Sequence, residues 1–268
     1  MQAAFVMLTF DLEEFDIPEE FNQNIPEADQ MQVTLLGLEG VLQVLNQHNI
    51  PATFFVTGNF ADKHPALIRH LSQKHEIASH ALFHSHARTF RESDIIHSRR
   101  ILEAVTGQVV HGFRMPRLKP VDKSLLQKWG FRYDSSINPT WLPGRYNMLG
   151  QSADPHVMEG LIELPCSTTP WLRLPLFWLS FKNLPLSIYL WLSWVTLKKR
   201  GNLTLYFHPW EFADLSSYKL PPYVKCPDSQ KLTTKFENFI LKLKGQNVDF
   251  VTCNSFCDEW EASNRAVH

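Results

Sequence analysis

The chain opens on an apolar run, Phe5 to Leu8, that leads straight into a burst of carboxylates: Asp11, Glu13, Glu14 and Asp16. The run reads as a buried strand. A buried strand that ends in acids restricts the fold, because α/β proteins gather their chemistry at the C-terminal ends of parallel strands. A solvated acidic loop is the plain competing reading, since acids are mostly exposed. The recurrence of His, Arg and Asp at the ends of later strands favours the first.

Those later strands alternate with helices. Met31, Leu35, Leu38, Leu42 and Leu45 repeat at helical spacing until Pro51. Ala52–Gly58 is β-branched and aromatic, hence a strand closed by glycine. Pro65 starts a short helix through Leu71. Glu76–His80 is a third strand, Ser93–Thr106 a helix stopped by Gly107, and His111–Arg114 a fourth strand. Asp122 caps a helix ended by Gly130. Strands are expected at Phe131–Asp134, Leu161–Leu164, Leu203–His208 and Val248–Thr252, with a helix at Thr233–Leu243. Alternation of this kind argues for parallel strands with crossover helices. The 268 residues are enough for one α/β barrel, and no linker or repeat divides them, so a single domain over 1–268 is expected.

Between Trp171 and Leu197 the chain is dense in Trp, Phe and Leu. Its longest charge-free run, Asn183 to Leu197, contains Pro185 and is too short to span a bilayer. A buried barrel helix is the plain reading; peripheral contact with a membrane surface or stacking on sugars is the other. A net charge of −1 supplies no global field toward nucleic acid. Cys166, Cys226, Cys253 and Cys257 are scattered, as in a reduced thiol set rather than a disulfide framework. With no basic stretch before the first strand, the expected location is cytoplasmic.

Seven residues carry the chemistry. His80 and His84 are four apart, so a helical turn would put both imidazoles on one face, and two histidines plus a carboxylate make a zinc set with an open position. Among 12 histidines the pair is also a spacing that arises by chance. His86 falls outside the register. Arg114 is either a surface ion-pair partner or a cation that fixes a catalytic carboxylate and lowers its pKa. Asp134 is a turn residue or a site carboxylate, and His208 a quietly packed ring or an acid/base. Placed after separate strands, Asp11, Glu13, His80, Arg114, Asp134 and His208 would meet at one face of a parallel barrel.

In order, these stretches resemble the polysaccharide deacetylases (carbohydrate esterase family four, NodB homology), whose fold is a distorted (β/α) barrel of about seven strands. The resemblance covers Thr9 to about Glu211. Thr9-Phe10-Asp11 looks like the family's first motif, with Asp11 as catalytic base. Leu12 stands where the usual form has a metal-binding Asp, so the chain looks like the subgroup with an Asp-x-acid pattern and Glu13 as ligand. His80 through His84 is similar to the motif supplying the other two ligands. Arg114-Met115-Pro116-Arg117 resembles the motif whose Arg orients the base, with the Arg117 backbone N–H serving the oxyanion. Tyr133-Asp134-Ser135-Ser136 looks like the motif whose Asp orients the acid histidine. Leu205-Tyr206-Phe207-His208 fits the last motif, with Leu205 lining the acyl pocket and His208 as general acid. Trp141 and Trp210 are expected as pocket walls.

The resemblance implies a metal-dependent hydrolase of N-acylated sugars, with zinc, or cobalt or nickel, held by Glu13, His80 and His84. Two rivals stand beside it. One keeps the chemistry on a small non-polymer amide or as a deformylase of a lipid-linked amino sugar. The other is a catalytically silent carbohydrate-binding barrel.

Overall fold

The computed structural model describes residues 4–85, 88–225 and 228–265; His86 and Cys226 lie outside them. Strand β1 (Ala4–Leu12) is the axis of the sheet. It runs parallel to β10 (Asn202–Phe207) along one edge. Its other edge is shared by β2 (Thr53–Val56) and, nearer its start, β11 (Val248–Phe250). From β2 the parallel ladder continues through β3 (Glu76–Ser79), β4 (Gly112–Phe113), β5 (Tyr133–Asp134) and β9 (Leu161–Glu163). An antiparallel strand, β8 (His156–Met158), borders β9. The hairpin of β6 (Trp141–Leu142) and β7 (Tyr146–Asn147) stands apart from the sheet. Beyond β9, the Ser167 N–H donates to the Thr204 carbonyl at 2.9 Å and the Thr204 N–H to Ser167 Oγ at 2.8 Å. Those two bonds close a ring of β1, β2, β3, β4, β5, β9 and β10. The expected barrel is there, distorted because two of its staves are two residues long.

Strand period divides β1 between two environments. Val6, Leu8, Phe10 and Leu12 pack outward under the helices. Met7 points inward among Phe55, Ala78, Tyr133, Ile162 and Leu164, one side chain or more from each of several staves. Continuing up the same inner face, Thr9 and then Asp11 reach the rim. The acids that follow β1 are therefore stacked over an apolar plug.

Helix Glu27–His48 contains the expected apolar repeat. Asp122 does cap the helix Lys123–Lys128, its Oδ1 accepting from the Ser124 N–H at 2.9 Å. A C-terminal helix, Cys253–Arg265, was not expected, yet Cys253, Phe256, Cys257 and Trp260 have its spacing and close the lower end of the barrel. Cys166, Cys253 and Cys257 are buried and free.

The segment from Trp171 to Leu197 is not one buried helix. Leu184-Pro185 divides helices Trp178–Asn183 and Leu186–Arg200, because proline cannot supply the N–H an unbroken helix needs. Phe181, Tyr189 and Leu197 face the core, whereas Trp171, Ile188, Trp191 and Trp194 are exposed. Among the described residues no helix is long and apolar enough to cross a membrane.

Gly37 lets helix Glu27–His48 lie against the turn after β10. A Cβ there would sit 1.9 Å from the Pro209 carbonyl oxygen, which is backbone and cannot swing away. Gly37→Ala is expected to cost about 1–3 kcal/mol of stability through overpacking, measured by urea denaturation; an unchanged midpoint would mean the helix is free to shift.

Candidate active site

Asp11, at the end of β1, is almost wholly buried and is held by Arg114. The Arg114 Nη1 donates to Asp11 Oδ1 at 2.7 Å and to Thr9 Oγ1 at 2.8 Å. Its Nε and Nη2 reach the Ser135 carbonyl and hydroxyl at 3.0 and 2.9 Å. The guanidinium also lies 4.0 Å over the Phe55 ring, which forms its floor. Burial raises the Asp11 pKa, but Arg114, with His80 and His208, outweighs it and holds the carboxyl below its ordinary value.

The second oxygen of Asp11 faces the other groups. Oδ2 is 3.9 Å from His80 Nε2 and 3.9 Å from His208 Nε2. Glu13 Oε2 is 3.1 Å from Nε2 of both His80 and His84. Each imidazole is fixed from behind: His80 Nδ1–H donates to the Arg114 carbonyl at 2.8 Å, and His84 Nδ1–H to Asp16 Oδ1 at 2.9 Å. That tautomer leaves both Nε2 atoms facing Glu13. The two histidines do not ride on a helix. Ala81 takes a positive φ of 56°, and the stretch is a loop whose Ala81 and Leu82 carbonyls accept from Gly58 and Asn59.

This donor set fits a divalent cation. Zinc–ligand bonds of about 2.0–2.1 Å at tetrahedral angles put donors about 3.3 Å apart, close to the 3.1 Å between Glu13 and each ring. Burial disfavours charge on His84, but Asp16 and Glu13 lift its pKa to about 9, and a cation would displace that proton. Burial likewise works against Glu13 and Asp16, which His84 and, at Asp16, Arg117 bring below the ordinary range.

His208 lies across from this triad, 3.8 Å from Glu13 Oε1. Its ring stacks on Trp210 and meets Trp178 edge-on. Trp210 Nε1–H donates to Glu13 Oε1 at 3.3 Å. The partner of His208 Nδ1 is Glu211 Oε1 at 3.0 Å, which also accepts the His208 backbone N–H at 2.6 Å. Asp134 does not reach His208. It lies on a different stave and forms a buried ion pair with Lys123, which also donates to Glu163 at 2.7 Å.

The cleft above these groups has a volume of about 80 Å³. Besides the acids and His208, its walls include Tyr146, Phe177, Trp178, Tyr206 and Trp210. Arg117 contributes its side chain, anchored to Asp16 at 2.9 Å and to Glu20, and its backbone turns through a φ of 58°. Two expected wall residues are elsewhere. Leu205 is buried in the outer core, because strand period puts it on the face opposite His208 and brings Tyr206 inward. Trp141 is 60% exposed; its hairpin turns Leu142 and Tyr146 to the cleft instead. Asp16 and Glu211 were missed as partners. The spacing His208-Pro-Trp-Glu211 is that of a capping box, and the signal was readable there.

Residues 2–133, close to half of the chain, match the family model for polysaccharide deacetylase. Over 65 residues the chain is 43% identical to a chitooligosaccharide deacetylase of Sinorhizobium fredii, a stretch that is 24% of this chain and 29% of that relative. Over 119 residues it is 29% identical to a peptidoglycan-N-acetylglucosamine deacetylase of Bacillus cereus, 42% of each chain. The chain thus spans less than half the length of these curated relatives. Its fold matches that of a Mycobacterium smegmatis protein assigned as a polysaccharide deacetylase, with a TM-score of 0.69 at 22% identity, over 98% of this chain and 92% of the other.

Removing the carboxylate behind His84 is expected to weaken metal binding. Asp16→Asn should lower zinc affinity by about 10–100-fold in calorimetric titration; unaltered affinity would mean that Asp16 does not support the ligand.

Proposed function

We propose that the chain is a member of the polysaccharide deacetylase family, whose model its residues 2–133 match, and a divalent-metal-dependent hydrolase that removes the acetyl group from an N-acetylated amino sugar of an oligo- or polysaccharide. The observation that carries this reading is one cleft bordered by a three-donor set, a carboxylate fixed by a buried Arg, and an imidazole fixed by a second carboxylate. The names of the relatives, both deacetylases of N-acetylglucosamine-containing glycans, supply the substrate class.

Glu13, His80 and His84 would hold the metal, for which zinc suits two imidazoles and a carboxylate. When bound, the metal supplies Lewis-acid polarisation of the amide carbonyl and eases deprotonation of water. Asp11 is the base: Arg114 keeps it ionised and immobilises Oδ1, leaving Oδ2 aimed between His80 and His208. Burial disfavours the His208 cation, but Glu13, Glu211 and Asp11 raise its pKa above the ordinary imidazole value. In its protonated form the ring can give its Nε2 proton to the leaving sugar amine. Glu211 fixes the Nδ1–H and so points Nε2 into the cleft. Tyr206, Trp178 and Trp210 would surround the acetyl group and the sugar face, and the backbone at Arg117 would meet the developing oxyanion.

Asp11→Asn should abolish acetate release from N-acetylated chitooligosaccharides, a loss of at least about 10²-fold, while zinc titration stays unchanged; an active variant refutes the assignment. Glu211→Gln should lower kcat on the amide by about 10-fold or more and leave hydrolysis of an aryl acetate nearly intact, because a phenolate departs without a proton. Equal losses on both substrates would assign Glu211 a structural role only.

A further inference from the structure

We propose that the outward face of helix Leu186–Arg200, with the Trp171-Leu172 turn, docks on an anionic lipid bilayer surface. The proposal rests on this surface alone and is independent of the deacetylase reading. Unlike a helix facing water, this one carries apolar side chains on its outer face as well as its inner one. Its buried side carries Tyr189, Ser193, Thr196 and Leu197, and the two hydroxyls of Ser193 and Thr196 are satisfied within the helix by the Tyr189 and Leu192 carbonyls at 2.8 Å. Its outer side carries Ile188, Trp191 and Trp194, three residues apart and 46%, 61% and 39% exposed. Trp171 and Leu172, just before the paired helices, are 75% and 77% exposed.

Charge separates a bilayer from other occupants. From Leu164 to Trp210 the sequence has no Asp or Glu, but has Arg173, Lys182, Lys198, Lys199 and Arg200. Lys182 and Arg200 are occupied, Lys182 at the Val224 carbonyl and Arg200 at Asp154. Lys198 and Lys199 are exposed, and the Lys198 ammonium sits 3.5 Å from the Trp194 ring centroid. Indole rings with lysines at one end of an apolar stripe match the headgroup boundary, where aromatics and cations are both favoured. A second copy meeting this face would set its lysines against like charges. Among the described residues no helix is long and apolar enough to span a bilayer, and the proposed contact lies in the plane of the interface. Helix Trp178–Asn183, whose start lines the cleft, is joined to this helix by the short Leu184-Pro185 link and by the Phe181–Tyr189 ring contact, so docking holds the cleft beside the lipid.

The test is sedimentation of the full chain with vesicles of phosphatidylcholine alone or mixed with phosphatidylglycerol, together with quenching of its tryptophan emission by brominated lipid. Binding to mixed vesicles should be about thirtyfold stronger, from two lysines, and should fall with salt. W191S/W194S should lose binding with its thermal midpoint kept, and K198Q/K199Q should lose the preference for anionic lipid. The proposal is overturned if the chain binds neither vesicle, if W191S/W194S binds as well as the parent, or if light scattering shows a dimer that W191S/W194S abolishes. Retention on chitin that depends on the same two tryptophans, without vesicle binding, overturns it in favour of a glycan platform.

Discussion

The buried pair of Arg114 and Asp11 is the constraint on which the site is built. A lone carboxylate at that depth would take up a proton rather than stay charged. Arg114 prevents this, and it does so from a position fixed on several sides: hydroxyl and carbonyl groups of Thr9 and Ser135, and the ring of Phe55 beneath. A guanidinium with its donors spread over β1 and the end of β5 ties those staves together. The same pair thus sets both the charge of Asp11 and the shape of the barrel rim. It is also a liability, since removing either partner strands the other charge in the interior.

The rest of the site extends that logic outward. Glu13 faces two imidazoles, each steadied by an acceptor behind it, one a backbone carbonyl and one Asp16. Arg117 in turn anchors Asp16. His208 is steadied by Glu211 and walled by indoles. Asp11 with Arg114, Asp16 with His84 and Arg117, and His208 with Glu211 pair groups of opposite sign, and through Glu13 these pairs form a chain. Such an arrangement fixes orientation at the cost of stability, which is the common trade at functional sites.

Much of this was legible in the sequence because strands advertise their ends. The strands expected before His80 and His208 end within one residue of β3 and β10, and β1 runs on from its apolar start through Asp11 to Leu12, so Asp11, Glu13, His80 and His208 could be placed on one face. What sequence could not supply was pairing between distant side chains. Asp134 has the right strand position, but Lys123 and Glu163 claim it, and neither contact leaves a mark in local pattern. Leu205 and Trp141 failed for a simpler reason: the period of two turns each of them away from the cleft and turns its neighbour in. The aromatic segment was ambiguous in principle, because an apolar residue that packs and one that waits for a partner look the same until burial is known.

Under the proposed function, a divalent cation at Glu13, His80 and His84 is required for hydrolysis at this cleft. Its most direct test is to strip the protein with chelator, add back zinc in steps, and follow acetate release from N-acetylated chitooligosaccharide against bound metal. Stripped protein should release no acetate, and release should rise to saturate at one zinc per chain. Full release without metal, or release indifferent to zinc occupancy, would contradict it.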